Sequence, residues 1–161
     1  MDLDSGSTSK LDQIDRAIIE LLQSDGRLTY SAIAKELSLS DGAVRKRMTR
    51  MTDEKVFRVL AIADPIKLGY TGYAMLLLNL TANADPEEVG AYSRDRLEVT
   101  YVVFTAGQYD LLVEVICESH EKLREFVVEH CYQRKDISSV EPMLSLKMFK
   151  NLLVWGRPSA P

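Results

Sequence analysis

The sequence predicts an α+β protein in two parts, a three-helix module over residues 11–58 and a βαββαβ sandwich over residues 71–150. Two observations carry this. Up to about residue 52, apolar residues recur at helical spacing in three successive stretches, each behind a residue suited to capping a helix. Beyond Gly69-Tyr70 the period changes, and short apolar runs alternate with helical stretches in the order strand, helix, strand, strand, helix, strand.

In the first helix Ile14, Ala17, Ile18, Leu21 and Leu22 form one stripe behind Asp12, a natural N-cap. Ser24-Asp25-Gly26 predicts its end, with Gly26 in the left-handed conformation that closes a helix. Thr29 caps a second, short helix that turns Ile33, Ala34 and Leu37 inward. Ser38-Leu39-Ser40 is a tight turn, and Ser40 caps a third helix from about Asp41 to Thr52, with Val44, Met48 and Met51 on its buried face. Opposite Val44 fall Gly42, Lys46, Thr49 and Arg50, with Arg45 on one flank. Arg47 falls near the buried stripe and is expected to pack part of its stem there.

A short helix, a tight turn and a capped helix with a basic outer face is the arrangement in which the last helix enters the major groove of DNA. Gly42 allows close approach to a backbone, and Arg45 or Lys46 can reach phosphates or guanine edges. The candidate DNA-contacting set is Thr29, Tyr30, Ser31, Ser40, Gly42, Arg45, Lys46, Arg47, Thr49 and Arg50. Two other readings stay open: a basic helix face can be merely solvated, and a tri-helical module can dock protein rather than DNA.

The formal net charge of −4 looks unsuited to a nucleic-acid partner, but the charge is unevenly spread. Residues 1–9 carry −2, residues 10–58 carry 10 basic and 8 acidic groups, and residues 59–161 carry 10 and 14. Within 41–58 there are six basic and three acidic residues. Counterion release depends on the charges that touch phosphate, so a local basic stripe suffices.

In the second part, YAMLLLNL at 73–80 is apolar on both faces and short enough for a buried strand. Asp85, Pro86 and Glu88 are the N-cap, first-turn proline and capping-box residue of a helix running to about Leu97. Residues 100–106 and 109–117 read as strands of a hairpin around Gly107-Gln108. Ser119 starts a helix with Leu123, Phe126, Val127 and His130 inward, and 139–149 is the last strand. The order is that of a ferredoxin-like sandwich with both helices on one face of an antiparallel sheet. Leu111, Val113, Val115 and Cys117 suit the helix side, yet Leu112 and Ile116 interrupt Asp110 and Glu114 on the other. That bare face calls for a partner, and a sheet-to-sheet homodimer covers both copies with one patch while pairing two recognition helices for a roughly palindromic site in double-stranded DNA.

The stretch LDQIDRAIIELLQSDGRLTYSAIAKELSLSDGAVRKRM resembles the DNA-binding domain of the Lrp/AsnC (leucine-responsive, feast/famine) transcriptional regulators. VFRVLAIADPIKLGY resembles that family's strand-and-linker segment, and TAGQYDLLVEV its Gly-x-Tyr-Asp hairpin. The resemblance covers about residues 11–150. It implies a winged helix-turn-helix domain over 11–58, a strand and linker over 59–70, and a RAM-type ligand-sensing and dimerisation domain over 71–150, between flexible tails at 1–10 and 151–161. It also implies dimers that assemble into tetramers or octamers, and an amino acid or related metabolite as effector, bound near Gly107, Tyr109 and Asp110 with Thr105, Ala106 and Gln108 alongside. Ser138 and Ser139 lie where the family's ligand loop continues. Asp110 is suited to a ligand ammonium and the amides near Gly107 to a carboxylate. The plainer reading, in which Gly107 is a turn residue and Asp110 caps it, stays open. Two positions depart from the family: Ser38 and Lys55 stand where glycine is usual, at a cost of about 1 kcal/mol each if the backbone is left-handed.

Other classes fit less well. Cys117, His120, His130 and Cys131 include possible zinc ligands, but the adjacent His130 and Cys131 point about 100° apart on a helix, so no metal is expected. No nucleophile elbow, phosphate loop or carboxylate pair suggests an enzyme, and no cofactor is expected. No apolar run is long enough to span a membrane, and the polar amino terminus lacks a signal-peptide pattern, so the chain reads as cytoplasmic.

Overall fold

A computed structural model describes residues 10–147. The expected tails over 1–10 and 151–161, apart from Lys10, therefore lie outside the described residues. The chain divides into two compact units between Ile62 and Ala63.

The first unit consists of α1 (Gln13–Ser24), α2 (Tyr30–Leu37) and α3 (Asp41–Asp53). Each begins where a side chain takes up otherwise unpaired amides. Asp12 and Asp15 form a reciprocal capping box on α1, with Asp15 N–H donating to Asp12 at 2.8 Å and Asp12 N–H to Asp15 at 3.2 Å. Thr29 and Ser40 accept from the amides of Ala32 and Ala43. Ile18, Leu22, Ile33, Ala34, Val44 and Met51 form the buried core, with Leu37 and Met48 half-buried at its margin. Ser38 (φ 55°) and Lys55 (φ 56°) both adopt the left-handed backbone that the glycine comparison implied.

Two expectations fail here. Gly26 is not left-handed: α1 closes on an extended Asp25, whose amide bonds to the Leu21 carbonyl, and Gly26 instead leaves room for Val59, whose Cγ1 would lie 3.3 Å from an added Cβ. Residues 59–70 form no strand, so no wing is present among the described residues. Val59, Leu60 and Ile62 are exposed, and no strand among the described residues pairs with their backbone. An apolar extended pattern makes a strand only where a ladder satisfies its amides.

The second unit is a four-stranded antiparallel sheet in the order β2-β3-β1-β4, built from β1 (Gly72–Leu80), β2 (Val99–Phe104), β3 (Leu111–Cys117) and β4 (Ile137–Leu144). Helices α4 (Pro86–Arg94) and α5 (His120–Val127) supply the second layer, and α5 runs on into a single π-helical turn, Val128–Tyr132, that buries Cys131. Asp85 and Ser119 cap α4 and α5. On the helix side Ala74, Leu76, Leu78, Val113 and Val115 pack beneath Val89 and Phe126. On the other face Met75 lies between Glu114 and Met143, and Leu77 beside Leu112. At its margins Tyr101 is 51% and Met143 54% exposed.

Several boundaries differ from expectation. Helix α4 stops at Arg94 rather than Leu97, because the amides of Asp95 and Arg96 turn back onto Ala91 and Ser93, leaving Leu97 almost fully exposed. The hairpin strands end at Phe104 and start again at Leu111, since the Thr105 amide bonds to the Asp110 carbonyl and frees a longer loop than a two-residue turn. β4 runs from Ile137, two residues before the expected start, to Leu144, short of the expected end at 149, and residues 145–147 lie outside it.

Candidate functional site

The outer side of α3 is a shallow groove lined by Gly42, Arg45, Lys46, Thr49 and Arg50, closed at its far end by Asp53 and Glu54. The sequence places these residues on one side of the helix because Val44, Met48 and Met51 face the core. Among the described residues no acid pairs with Arg45 or Lys46. Arg45 instead lies over the ring of Tyr30, its guanidinium carbon 5.2 Å from the centroid. Ser31 donates to Asp41, tying the start of α2 to the start of α3. Thr29 and Ser40 bind backbone amides at the helix starts, so each serves first as a cap.

Arg47 and Arg50 are held differently. Asp15, on α1, is fully buried and accepts Arg47 Nη1 at 2.8 Å and Arg50 Nη2 at 2.5 Å. Asp12 accepts Arg47 Nη1 at 2.6 Å. Burial pushes the Asp15 carboxyl up, but the bonds from Arg47, from the Asp12 amide and from Arg50 outweigh it and hold the group below its ordinary value. Asp12 is lowered by the Asp15 amide and by Arg47, and Arg47 is raised in turn. The expected partial burial of Arg47 is present, whereas the engagement of Arg50 was not foreseen. The missed residue is Asp15, which with Ile18 and Leu22 makes the buried line of α1. Its signal in the sequence is a lone carboxylate at helical spacing within an apolar stripe.

In the second unit the expected effector residues cluster where the end of β1 meets the β2–β3 hairpin and the start of β4. The Asp110 amide donates to the Leu78 carbonyl at 2.9 Å, and Asp110 Oδ2 accepts the Leu80 amide at 2.7 Å. Thr105 donates to the Tyr109 carbonyl at 2.5 Å, and Tyr109 donates to Glu141, which raises the tyrosine pKa. Ser138 Oγ lies 3.1 Å from the carbonyls of Asn79 and Leu80, and Asn79 donates to Ser139 at 3.1 Å. Ala106, Gly107 and Gln108 form the exposed tip. One oxygen of Asp110 is thus engaged structurally, while Oδ1 has no partner among the described residues. Asn79 and Glu141 belong to this cluster and were missed. Asn79 is the single polar side chain in an otherwise apolar strand sequence, which was the available signal.

On the bare sheet face, Tyr73 and Thr100 both donate to Glu114, and burial followed by that carboxylate raises Tyr73 to about 12. Thr100 reaches Glu114 because the ladder shifts register between Val99 and Tyr101. His130 meets the hydroxyl of Tyr92 at 2.9 Å and the edge of Phe126. No helix among the described residues is long and apolar enough to cross a membrane.

Residues 11–52 match the model of the AsnC-type helix-turn-helix domain, and residues 73–153 that of the Lrp/AsnC ligand binding domain. The chain is 30% identical over 151 residues to the uncharacterised HTH-type transcriptional regulator PH0140 of Pyrococcus horikoshii, covering 91% of this chain and 90% of that one. Among solved structures it is similar to AsnC of E. coli, with a TM-score of 0.77 at 24% identity over 91% of this chain and 99% of that one. It is likewise similar to the transcriptional regulator NMB0573 of Neisseria meningitidis in complex with L-Met, with a TM-score of 0.78 at 22% identity over 91% and 96% of the two chains.

Proposed function

The chain belongs to the Lrp/AsnC family of DNA-binding transcriptional regulators, and on that premise we propose that its operator contacts are made by the outer face of α3 and answer to an amino acid bound at the β2–β3 hairpin. The observation that carries the DNA reading is the pair of cations, Arg45 and Lys46, that face outward beside Gly42 and Thr49 and form an ion pair with no acid among the described residues. Seated in a major groove, Arg45 is suited to a guanine edge and Lys46 to phosphate. Tyr30, Ser31 and the capped start of α2 lie where the first helix of such a motif crosses the sugar–phosphate backbone.

Two copies of α3 are needed for a palindromic operator, with half-sites about one helical turn apart. The apolar face formed by Met75, Leu77, Leu112 and Ile116 supports a sheet-to-sheet homodimer, since an isologous contact would cover both copies at once. Dimers of this kind can assemble further into tetramers or octamers, as the resemblance to the family implies. The protein would act in the cytoplasm, with the DNA it reads.

The effector would be an α-amino acid, its ammonium taken by Asp110 Oδ1 and its carboxylate by the amides at the Ala106-Gly107-Gln108 tip. The L-Met complex of NMB0573 supports this class of ligand without naming the one used here. Ligand alters operator affinity only if it binds two assembly states unequally. A fluorescence-anisotropy titration of DNA from the gene's own upstream region, at low and high salt and with a panel of amino acids, tests both parts, with light scattering run in parallel. The reading requires retention that falls steeply with salt and a shift in affinity or mass with at least one amino acid. A stable dimer that retains neither this DNA nor random genomic fragments would refute the DNA interface, and a response to no amino acid would refute the effector site.

A further inference from the structure

Asp15 is the only fully buried charged side chain among the described residues. It sits on α1, yet both its oxygens serve α3, one bound to Arg47 at 2.8 Å and the other to Arg50 at 2.5 Å. Asp12 adds a second contact to Arg47 at 2.6 Å, so two carboxylates face two guanidiniums at this junction. Helix packing alone does not call for such an arrangement, because apolar residues of similar volume commonly hold two helices as well as a buried ion pair does. The guanidiniums are not sealed in. The side chains of Arg47 and Arg50 are 28% and 43% exposed, and Arg50 borders the same groove as Arg45 and Lys46. They stand at the edge of the DNA-facing surface, drawn back from it by a charge behind them.

We infer that Asp15, with Asp12, is a specificity-determining clasp that withholds Arg47 and Arg50 from the DNA backbone. The inference rests on the DNA-binding reading above. A phosphate contact adds affinity for every sequence equally, so each arginine kept off the backbone lowers non-specific binding and leaves discrimination to the side chains that reach base edges. Arg45 is the counter-example on the same helix: with no acid behind it, it lies over Tyr30 and remains available. The clasp also fixes the roll of α3 against α1, so Asp15 is a positioning residue for the base-reading face.

The test is the salt dependence of binding to a random-sequence duplex, measured by anisotropy on the full chain and on Asp15→Asn, Arg47→Gln, Arg50→Gln and the triple variant. Asp15→Asn keeps the shape and removes the charge. It should bind random duplex more tightly and steepen the plot of log affinity against log salt by about 0.9 for each arginine released. Asp12 still holds Arg47 in this variant, so Arg50 is the one freed, two per dimer, and the affinity lost between about 50 and 200 mM salt grows by roughly twelvefold over that of the parent. Arg47→Gln and Arg50→Gln alone should leave the parent slope unchanged, and the triple variant should return to it.

A folded Asp15→Asn with the parent slope would overturn the clasp, because a purely structural carboxylate changes stability and not ion release. So would a slope that flattens by about 0.9 per copy in either single arginine variant, since that arginine would already be on phosphate. If Asp15→Asn does not fold, the two single arginine variants decide by the same criterion. A parent protein that binds no duplex at any salt overturns the functional reading together with the clasp, a result separate from normal binding with unaltered slopes.

Discussion

Replacing Tyr101 by alanine should weaken the dimer while leaving the monomer folded. Tyr101 lies on the bare sheet face beside Glu114, and 51% of it is exposed in the single chain. A tyrosine contributes on the order of 200 Å² of surface, so about 100 Å² per copy is available to be covered by a partner. In an isologous interface the same residue counts twice, giving about 200 Å² and an upper bound of about 5 kcal/mol at 25 cal/mol per Å². Incomplete coverage and the methyl that remains bring the expected loss to about 2–3 kcal/mol, or a roughly 30- to 150-fold rise in the dimer dissociation constant. Sedimentation equilibrium over a dilution series measures this directly. Thermal unfolding of the dissociated chain, at concentrations below both dissociation constants, should shift little, because a half-exposed side chain is not part of the helix-side core. A dissociation constant within threefold of the parent, from a folded variant, would refute the sheet-to-sheet interface and require the copies to meet elsewhere.

Three further outcomes follow from particular residues. Ser38→Gly should stabilise the first unit by about 0.5–1 kcal/mol, read from urea unfolding, because Ser38 holds φ 55° and its side chain makes no hydrogen bond among the described residues; destabilisation would mean that the serine has a role beyond the turn. Gly72→Ala should destabilise the second unit by about 1–3 kcal/mol, since an added Cβ would lie 2.3 Å from the Ser119 carbonyl oxygen at the cap of α5; calorimetry showing an unshifted transition would contradict that crowding. Asp15 has its pKa lowered on folding, so its contribution is fully present above the unfolded value near 4 and is lost as pH falls through the folded value; the stability gap between the parent and Asp15→Asn should be widest near neutrality and close in acid, and a gap that widens in acid would reverse the sign of the argument.

Most of the fold was legible because its signals are local. The N-caps at Asp12, Thr29, Ser40, Asp85 and Ser119 sit where the backbone needs them, and the apolar spacings behind them selected helix or strand. The failures concern partners that lie elsewhere. Residues 59–70 have a strand-like pattern but no ladder among the described residues, and pattern cannot reveal whether a ladder exists. Leu97 is apolar at helical spacing, yet the chain must turn before β2, and a backbone reversal outranks one apolar side chain. The site shows the same division. The outward set on α3 follows from the buried set by geometry alone, whereas the bonds from Arg47 and Arg50 to Asp15 join residues more than thirty positions apart and emerge only when α1 packs on α3.

The charge pattern explains how an acidic protein can read DNA and why it would do so in multiple copies. If the clasp removes Arg47 and Arg50 from the electrostatic count, each recognition helix brings Arg45 and Lys46 to the groove, with Asp53 and Glu54 only at its far end. A dimer then presents four such cations, which by counterion release corresponds to a salt slope of only about −3.6 from the helices themselves. That is a weak grip on arbitrary DNA, and the acidic remainder of the chain, with its net charge of −4, adds no attraction. Useful occupancy must come from base-edge fit and from linking several recognition helices on one stretch of DNA, where each added copy binds at a high effective concentration. An effector that alters assembly would then alter operator affinity strongly without touching the recognition helix, because affinity depends on how many weak contacts are linked.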